Sequence, residues 1–107
     1  MATTEALQIV TRYLHYLKDQ GMPISFGVLY GSQARGDARP DSDFDLMVVS
    51  SQFDQPNSWS HTELLWKATV YTDSRIEPIG VGAKQWEADD SFPLIDIARQ
   101  EGQIIRM

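Results

Sequence analysis

Two aspartates one residue apart, Asp43 and Asp45, open an otherwise apolar run that ends at Val49. On a strand, residues i and i+2 project from the same face, roughly 6–7 Å apart at Cα. Their oxygens can therefore converge on one hard cation or on a close pair of cations. Without a cation, adjacent carboxylates repel and one resists ionisation. Core packing gives no reason for two acids on one face. The competing explanation is an exposed Asp-rich turn, because Pro40, Asp41 and Ser42 precede them. Upstream, Gly31-Ser32 follows an apolar run. Glycine permits close backbone approach there, and freed N–H groups at a helix start favour anions. The Ser32 hydroxyl adds a donor, although a bare turn would use the same residues. Glu77 is the third element, set between Ile76 and Ile79, where an unpaired charge would be costly. It either reaches the aspartates from a neighbouring strand or pairs with Arg75. The sequence contains neither G-x-x-x-x-G-K-[ST] nor G-x-G-x-x-G, so P-loop and Rossmann sites have no support.

These residues need elements to hold them. Leu7, Val10, Leu14 and Leu17 share a helical face, with Thr3 or Thr4 as a cap and Gly21 and Pro23 as a stop. The spacing predicts a helix over 3–20. Ile24 to Tyr30 reads as a buried strand ending at Gly31, and Asp43 to Val49 as a second. Residues 51–58 have loop composition, with Ser51, Asp54, Pro56, Asn57 and Ser58. Ser60 and Glu63 have capping-box spacing ahead of a short helix through Leu64, Leu65 and Ala68. Residues 74–81 predict a third strand, which Pro78 pushes toward an edge or a bulge. A last helix starts near Ser91–Pro93 and runs to Glu101, with Gly102 as its stop. Gln103–Met107 is a final strand or a loose end. The class is α/β (α+β) with a small sheet.

The 107 residues are expected to form one unit, 1–107, with a radius of gyration of roughly 13 Å. With 42% hydrophobic and 22% charged residues, the composition argues against disorder. There is no cysteine, which excludes disulfides, thiol catalysis and thiolate-ligated metals. No apolar run approaches the ~20 residues that span a bilayer, and MATTEALQ lacks the features of a signal peptide. The expected compartment is the cytoplasm, with no membrane contact. A net charge of −6 leaves no dense basic face to neutralise phosphates, so direct nucleic acid binding is not expected.

Gly31-Ser32, ten intervening residues and Asp43-x-Asp45 resemble the G-S-x10-D-x-D signature of the DNA polymerase β-like nucleotidyltransferase superfamily. Within it, GSQARG, SDFDL and the short form are similar to the minimal nucleotidyltransferase (MNT) proteins. The motif spans 15 residues, and the order of elements extends the likeness over most of the chain. The resemblance implies a small mixed sheet with helices packed on one side. It implies that Gly31 and Ser32 grip a nucleoside triphosphate while Asp43, Asp45 and Glu77 ligate two Mg²⁺ ions. Glu77 stands where many relatives have Asp. The family further implies an antitoxin that transfers AMP from ATP to a tyrosine of a HEPN-domain ribonuclease toxin. Two other readings stay open: an antitoxin that neutralises its toxin by docking alone, and a nucleotidyltransferase subunit acting on a small molecule held by a partner chain.

Among the remaining residues, Arg35 is assigned to nucleotide phosphate, and Arg39 to structure or solvent. Lys84 reads as a surface lysine, although it follows the third strand and could approach a nucleotide. His15 and His61 lack a second histidine nearby and read as surface or partly packed residues. Trp59, Trp66 and Trp86 divide between core packing and a partner-facing patch. Tyr30 adjoins the Gly-Ser corner and carries no assignment.

Overall fold

An apolar residue every third or fourth position gives the N-terminal segment one buried stripe, and it folds as α1, Thr4–Asp19. The Thr3 hydroxyl accepts a hydrogen bond from the Ala6 N–H at 3.1 Å, the N-cap expected for threonine. Val10, Tyr13, Leu14 and Leu17 are buried. Gly21, at φ +95°, turns the chain away. The computed structural model describes residues 2–39, 41–56, 59–88 and 92–107.

Four strands form one mixed sheet. β1 (Phe26–Tyr30) and β2 (Phe44–Val49) are antiparallel, β3 (Ile76–Val81) is parallel to β2, and β4 (Gln103–Ile105) is antiparallel to β1. The order is β3-β2-β1-β4. Pro78, which has no N–H to donate, is thus on an edge strand as expected. The short helix α2 (Ser32–Arg35) lies between β1 and β2, and α3 (Trp59–Tyr71) makes the crossover to β3. α4 (Ala83–Ala88) and α5 (Pro93–Glu101) precede β4.

Alternation along the strands sorts the core into two layers. Leu29, Leu46, Val48 and Ile76 pack with Leu14 and Leu17 of α1 and Leu65 and Ala68 of α3. Val28, Tyr30, Met47, Val49 and Val81 point the other way, against Ile95 and Ala98 of α5 and the half-buried Trp86 of α4. The two long helices therefore share one side of the mixed sheet, and the shorter α4 and α5 cover part of the opposite face. Tyr13 ties α1 to α3 by donating its hydroxyl to the Leu65 carbonyl at 2.7 Å. The radius of gyration is 12.9 Å. No described helix is long and apolar enough to cross a membrane.

Several elements differ from the sequence expectation. Ser51–Asp54 is a 3₁₀-helix rather than loop, capped by the Ser50 hydroxyl on the Gln52 N–H. α3 begins at Trp59 and is longer than expected. Ser60 consequently sits inside its first turn, and the cap position falls outside the described residues. α4 is an addition: Asp54 accepts from the Lys84 and Gln85 N–H groups at 3.0 and 3.4 Å, fixing its first turn from a distance of thirty residues in sequence. β1 starts at Phe26, not Ile24. The tail forms β4. Pro40, Asn57, Ser58 and Ser91 lie outside the described residues.

Candidate active site

Strand register gathers the candidate acids. Tyr30 is the partner of Asp45 across β1 and β2, and Asp45 is the partner of Glu77 across β2 and β3. Register partners project from the same face, so Tyr30, Asp45 and Glu77 form a row across three strands. That row lies on the face that also carries Met47 and Val49. Asp43 stands just before β2 and is exposed, Asp45 is half-buried and Glu77 is exposed.

Their electrostatics are coupled. Glu77 is held above the usual carboxylate range, first by the charge of Asp43, then by loss of water, by hydrogen-bond contact with Asp43, and by the charge and contact of Asp45. Asp45 is raised by burial and then by the Asp43 charge. Contact with Glu77 and the charge of Arg35 oppose that shift. Burial, with Asp45 and Glu77 adding, pushes the Tyr30 phenol up to about 12. Like charges that cannot be separated favour a shared proton or a bound cation.

The Gly-Ser corner abuts this row. Gly31 has φ +74°, and a Cβ built on it would lie 2.5 Å from Asp45 Oδ2. The carboxylate occupies the space a side chain would fill. The Ala34 and Arg35 N–H groups both bond to the Gly31 carbonyl at 3.1 Å. Among the described residues, the Ser32 and Gln33 amides have no backbone acceptor. Gly36, at φ +83°, closes α2. Gln33 Nε2 donates to the Ser42 carbonyl at 3.2 Å, and Ser42 Oγ accepts from the Arg39 N–H at 2.8 Å. The loop before Asp43 is thereby tied to α2.

Of the expected site residues, Gly31, Asp43, Asp45 and Glu77 come together. Arg35 is the last residue of α2 and forms ion pairs with Asp37 at 3.3 Å and Glu101 at 3.4 Å, while its charge still reaches Asp45. Glu77 is not buried within its strand as the flanking isoleucines suggest, because its face of the β3 edge is open. The alternative pairing with Arg75 is not formed: Arg75 binds Asp73 at 2.8 Å and lies over the Phe44 ring. Lys84 follows the far end of β3 from Glu77, in the exposed first turn of α4. His15 is exposed, and His61 packs edge-on to Phe53. Tyr30, noted in the sequence beside the corner but given no role there, joins this row. Pairing the two strands as an antiparallel hairpin from the corner outward would have placed it opposite Asp45.

The donor set suits a hard cation, being oxygen only and bordered by a backbone corner with free amides. Among the described residues, no group of three or more His, Cys, Asp or Glu side chains is placed so that it could hold a metal ion by itself. Mg²⁺ is usually held by one or two carboxylates, with substrate phosphates and water completing its octahedron. A partial cluster therefore fits it. A separate cleft of 320 Å³ opens on the other face, lined in part by Gln33, Arg39, Phe44 and Arg75, and excludes the three acids.

The family model for the nucleotidyltransferase domain matches residues 12–101. Among solved structures, the chain is similar to a candidate nucleotidyltransferase from Sulfolobus solfataricus. The TM-score is 0.68 at 13% identity, covering 94% of this chain and 78% of that one. It is also similar to a toxin–antitoxin structure solved with AMP-PNP. There the TM-score is 0.61 at 20% identity, covering 87% and 69% respectively. At these identities the likeness is one of fold. No curated protein matches the sequence.

Proposed function

The chain belongs to the nucleotidyltransferase domain family, and on that premise we propose that the carboxylate row is the centre of a metal-dependent nucleotidyl transfer. The observation that carries this reading is the register placing Glu77 beside Asp45, with the charge of Asp43 falling on both. An acceptor hydroxyl oxygen forms a bond to the α-phosphorus of the triphosphate as the bond to the pyrophosphate oxygen breaks. Pyrophosphate leaves with that electron pair. Glu77 takes the hydroxyl proton at a carboxylate oxygen. Gly31, lacking a side chain, lets the triphosphate approach the backbone, where the Ser32 and Gln33 amides and the Ser32 hydroxyl donate to phosphate oxygens. Arg35 adds positive charge at the rim. Two Mg²⁺ ions held by Asp43, Asp45 and Glu77 would neutralise charge on the attacking and leaving oxygens.

The proposal extends to donor and acceptor. The donor is ATP and the acceptor a tyrosine of a HEPN-type ribonuclease toxin, so that this chain acts as the antitoxin. Support comes from the likeness in fold to a toxin–antitoxin structure with AMP-PNP and from the GSQARG and SDFDL resemblance. Intact-mass analysis of the protein encoded beside this chain tests it. The reaction contains ATP, Mg²⁺ and either the wild type or the Asp43→Asn, Asp45→Asn double variant. AMP added by the wild type alone supports the proposal. A tight complex with an unmodified partner favours an antitoxin that works by docking.

A further inference from the structure

One face of α3 remains apolar although nothing among the described residues covers it. Trp59, Trp66, Val70 and Tyr71 are 71%, 52%, 77% and 64% exposed. At 100° per residue, Trp59, Trp66 and Val70 fall on one stripe, opposite the buried Leu65 and Ala68. Tyr71 continues it toward α1 by stacking on Tyr16, ring centroids 5.8 Å apart. Glu63 and Lys67 lie along the same stripe, and among the described residues neither is ion-paired within the chain.

We infer that this face pairs with the same face of a second copy, the two α3 helices running antiparallel about a two-fold axis. The spacing is self-complementary. An axis midway between Leu64 and Leu65 puts Trp59 and Val70 at equal distances, about 8 Å, on either side. Trp59 of each copy then meets Val70 of the other, and Glu63 of each comes within one residue's rise, about 1.5 Å, of standing level with Lys67 of the other on the same side of the contact. A two-fold contact requires this reciprocity. The four apolar residues leave roughly 600 Å² exposed per copy. Two copies together expose about 1,200 Å² of this apolar surface, an upper bound on what the pairing buries and the lower end for a specific interface. α3 packs on the sheet face opposite Asp45 and Glu77, so the dimer leaves both acid rows accessible.

Sedimentation equilibrium of the full chain, from low to high micromolar concentration, tests the pairing. A monomer–dimer equilibrium is expected. Glu63→Lys or Lys67→Glu alone places like charges opposite each other twice and should weaken it about tenfold or more. The double exchange Glu63→Lys with Lys67→Glu should restore wild-type association, which also shows that the exchanged chain folds. Trp66→Asp should leave a monomer with an unchanged circular dichroism spectrum. A wild type that stays monomeric throughout, as it would if the face takes a different protein, overturns the inference. So does a dimer indifferent to the single exchanges or not rescued by the double.

Discussion

Asp45 and Glu77 are register partners on the parallel pair β2–β3, and each is held above the ordinary carboxylate range, Asp45 by burial and then by the charge of Asp43, Glu77 first by that same charge. The folded chain therefore binds more protons here than the unfolded one. The contribution of Asp45 and Glu77 to stability is complete in acid, below the unfolded values, and is lost as pH rises through the raised ones.

Asp45→Asn should accordingly lose nucleotidyl transfer by about 10²–10³-fold while melting slightly higher than wild type at neutral pH. The melting gap should shrink as the pH is lowered into the acid range, where the wild-type carboxyl is itself protonated. Melting curves of both proteins across that range, with an activity assay at neutral pH, check the two halves together. A variant that melts lower at neutral pH would refute the repulsion argument.

Gly31→Ala forces a Cβ into a left-handed conformation at φ +74° and to 2.5 Å from Asp45 Oδ2. A cost of about 1–3 kcal/mol is expected, lowering Tm by roughly 4–8 °C per kcal/mol. Nucleotide affinity should fall too, because the carboxylate must move. Asp45→Asn combined with Gly31→Ala would not relieve the clash, since Asn is as large. Thermal denaturation and nucleotide titration measure the effect.

Mg²⁺ with ATP should raise Tm, by about 2.7 kcal/mol of linkage at a hundredfold excess over Kd. Chelation should abolish the shift. The Asp43→Asn, Asp45→Asn variant should show none. A shift that survives in that variant would place the ligand elsewhere, and the cleft beside Arg39 and Arg75 would become the site to examine.

Tyr13→Phe removes the 2.7 Å hydrogen bond from α1 to the Leu65 carbonyl. A loss of about 0.5–1.5 kcal/mol is expected, with transfer activity unchanged because α1 and α3 lie on the side of the sheet away from the acids. Denaturant unfolding gives the energy. A fall in kcat with stability intact would contradict that separation.

The sequence makes legible whatever depends on local periodicity or punctuation. α1 and its Thr3 cap, the strands ending at Tyr30 and Val49, the edge position of Pro78 and the stop at Gly102 all follow from residue types and spacing. Asp43 and Asp45 stand out because two acids at i and i+2 fit poorly with an apolar strand. Less legible is whatever depends on tertiary partners. α4 owes its first turn to Asp54, so its own composition does not announce it. β4 is three residues long and exists because β1 offers an unpaired edge. The exposure of Glu77 depends on which side of β3 is left uncovered, and the place of Tyr30 depends on register rather than on its neighbours in sequence.

The β2–β3 pair has a consequence in time as well as in space. Antiparallel β1 and β2 can meet as soon as the corner at residues 31–43 closes, whereas parallel β3 must wait for the 3₁₀-helix and α3 to form the crossover. Non-local pairings of this kind pay their loop-closure entropy before any contact rewards it. Asp45 should therefore acquire its partner Tyr30 first and Glu77 later. In refolding, secondary structure and the burial of α1 should recover ahead of catalytic competence, and the interval between them should lengthen when the α3 crossover is weakened.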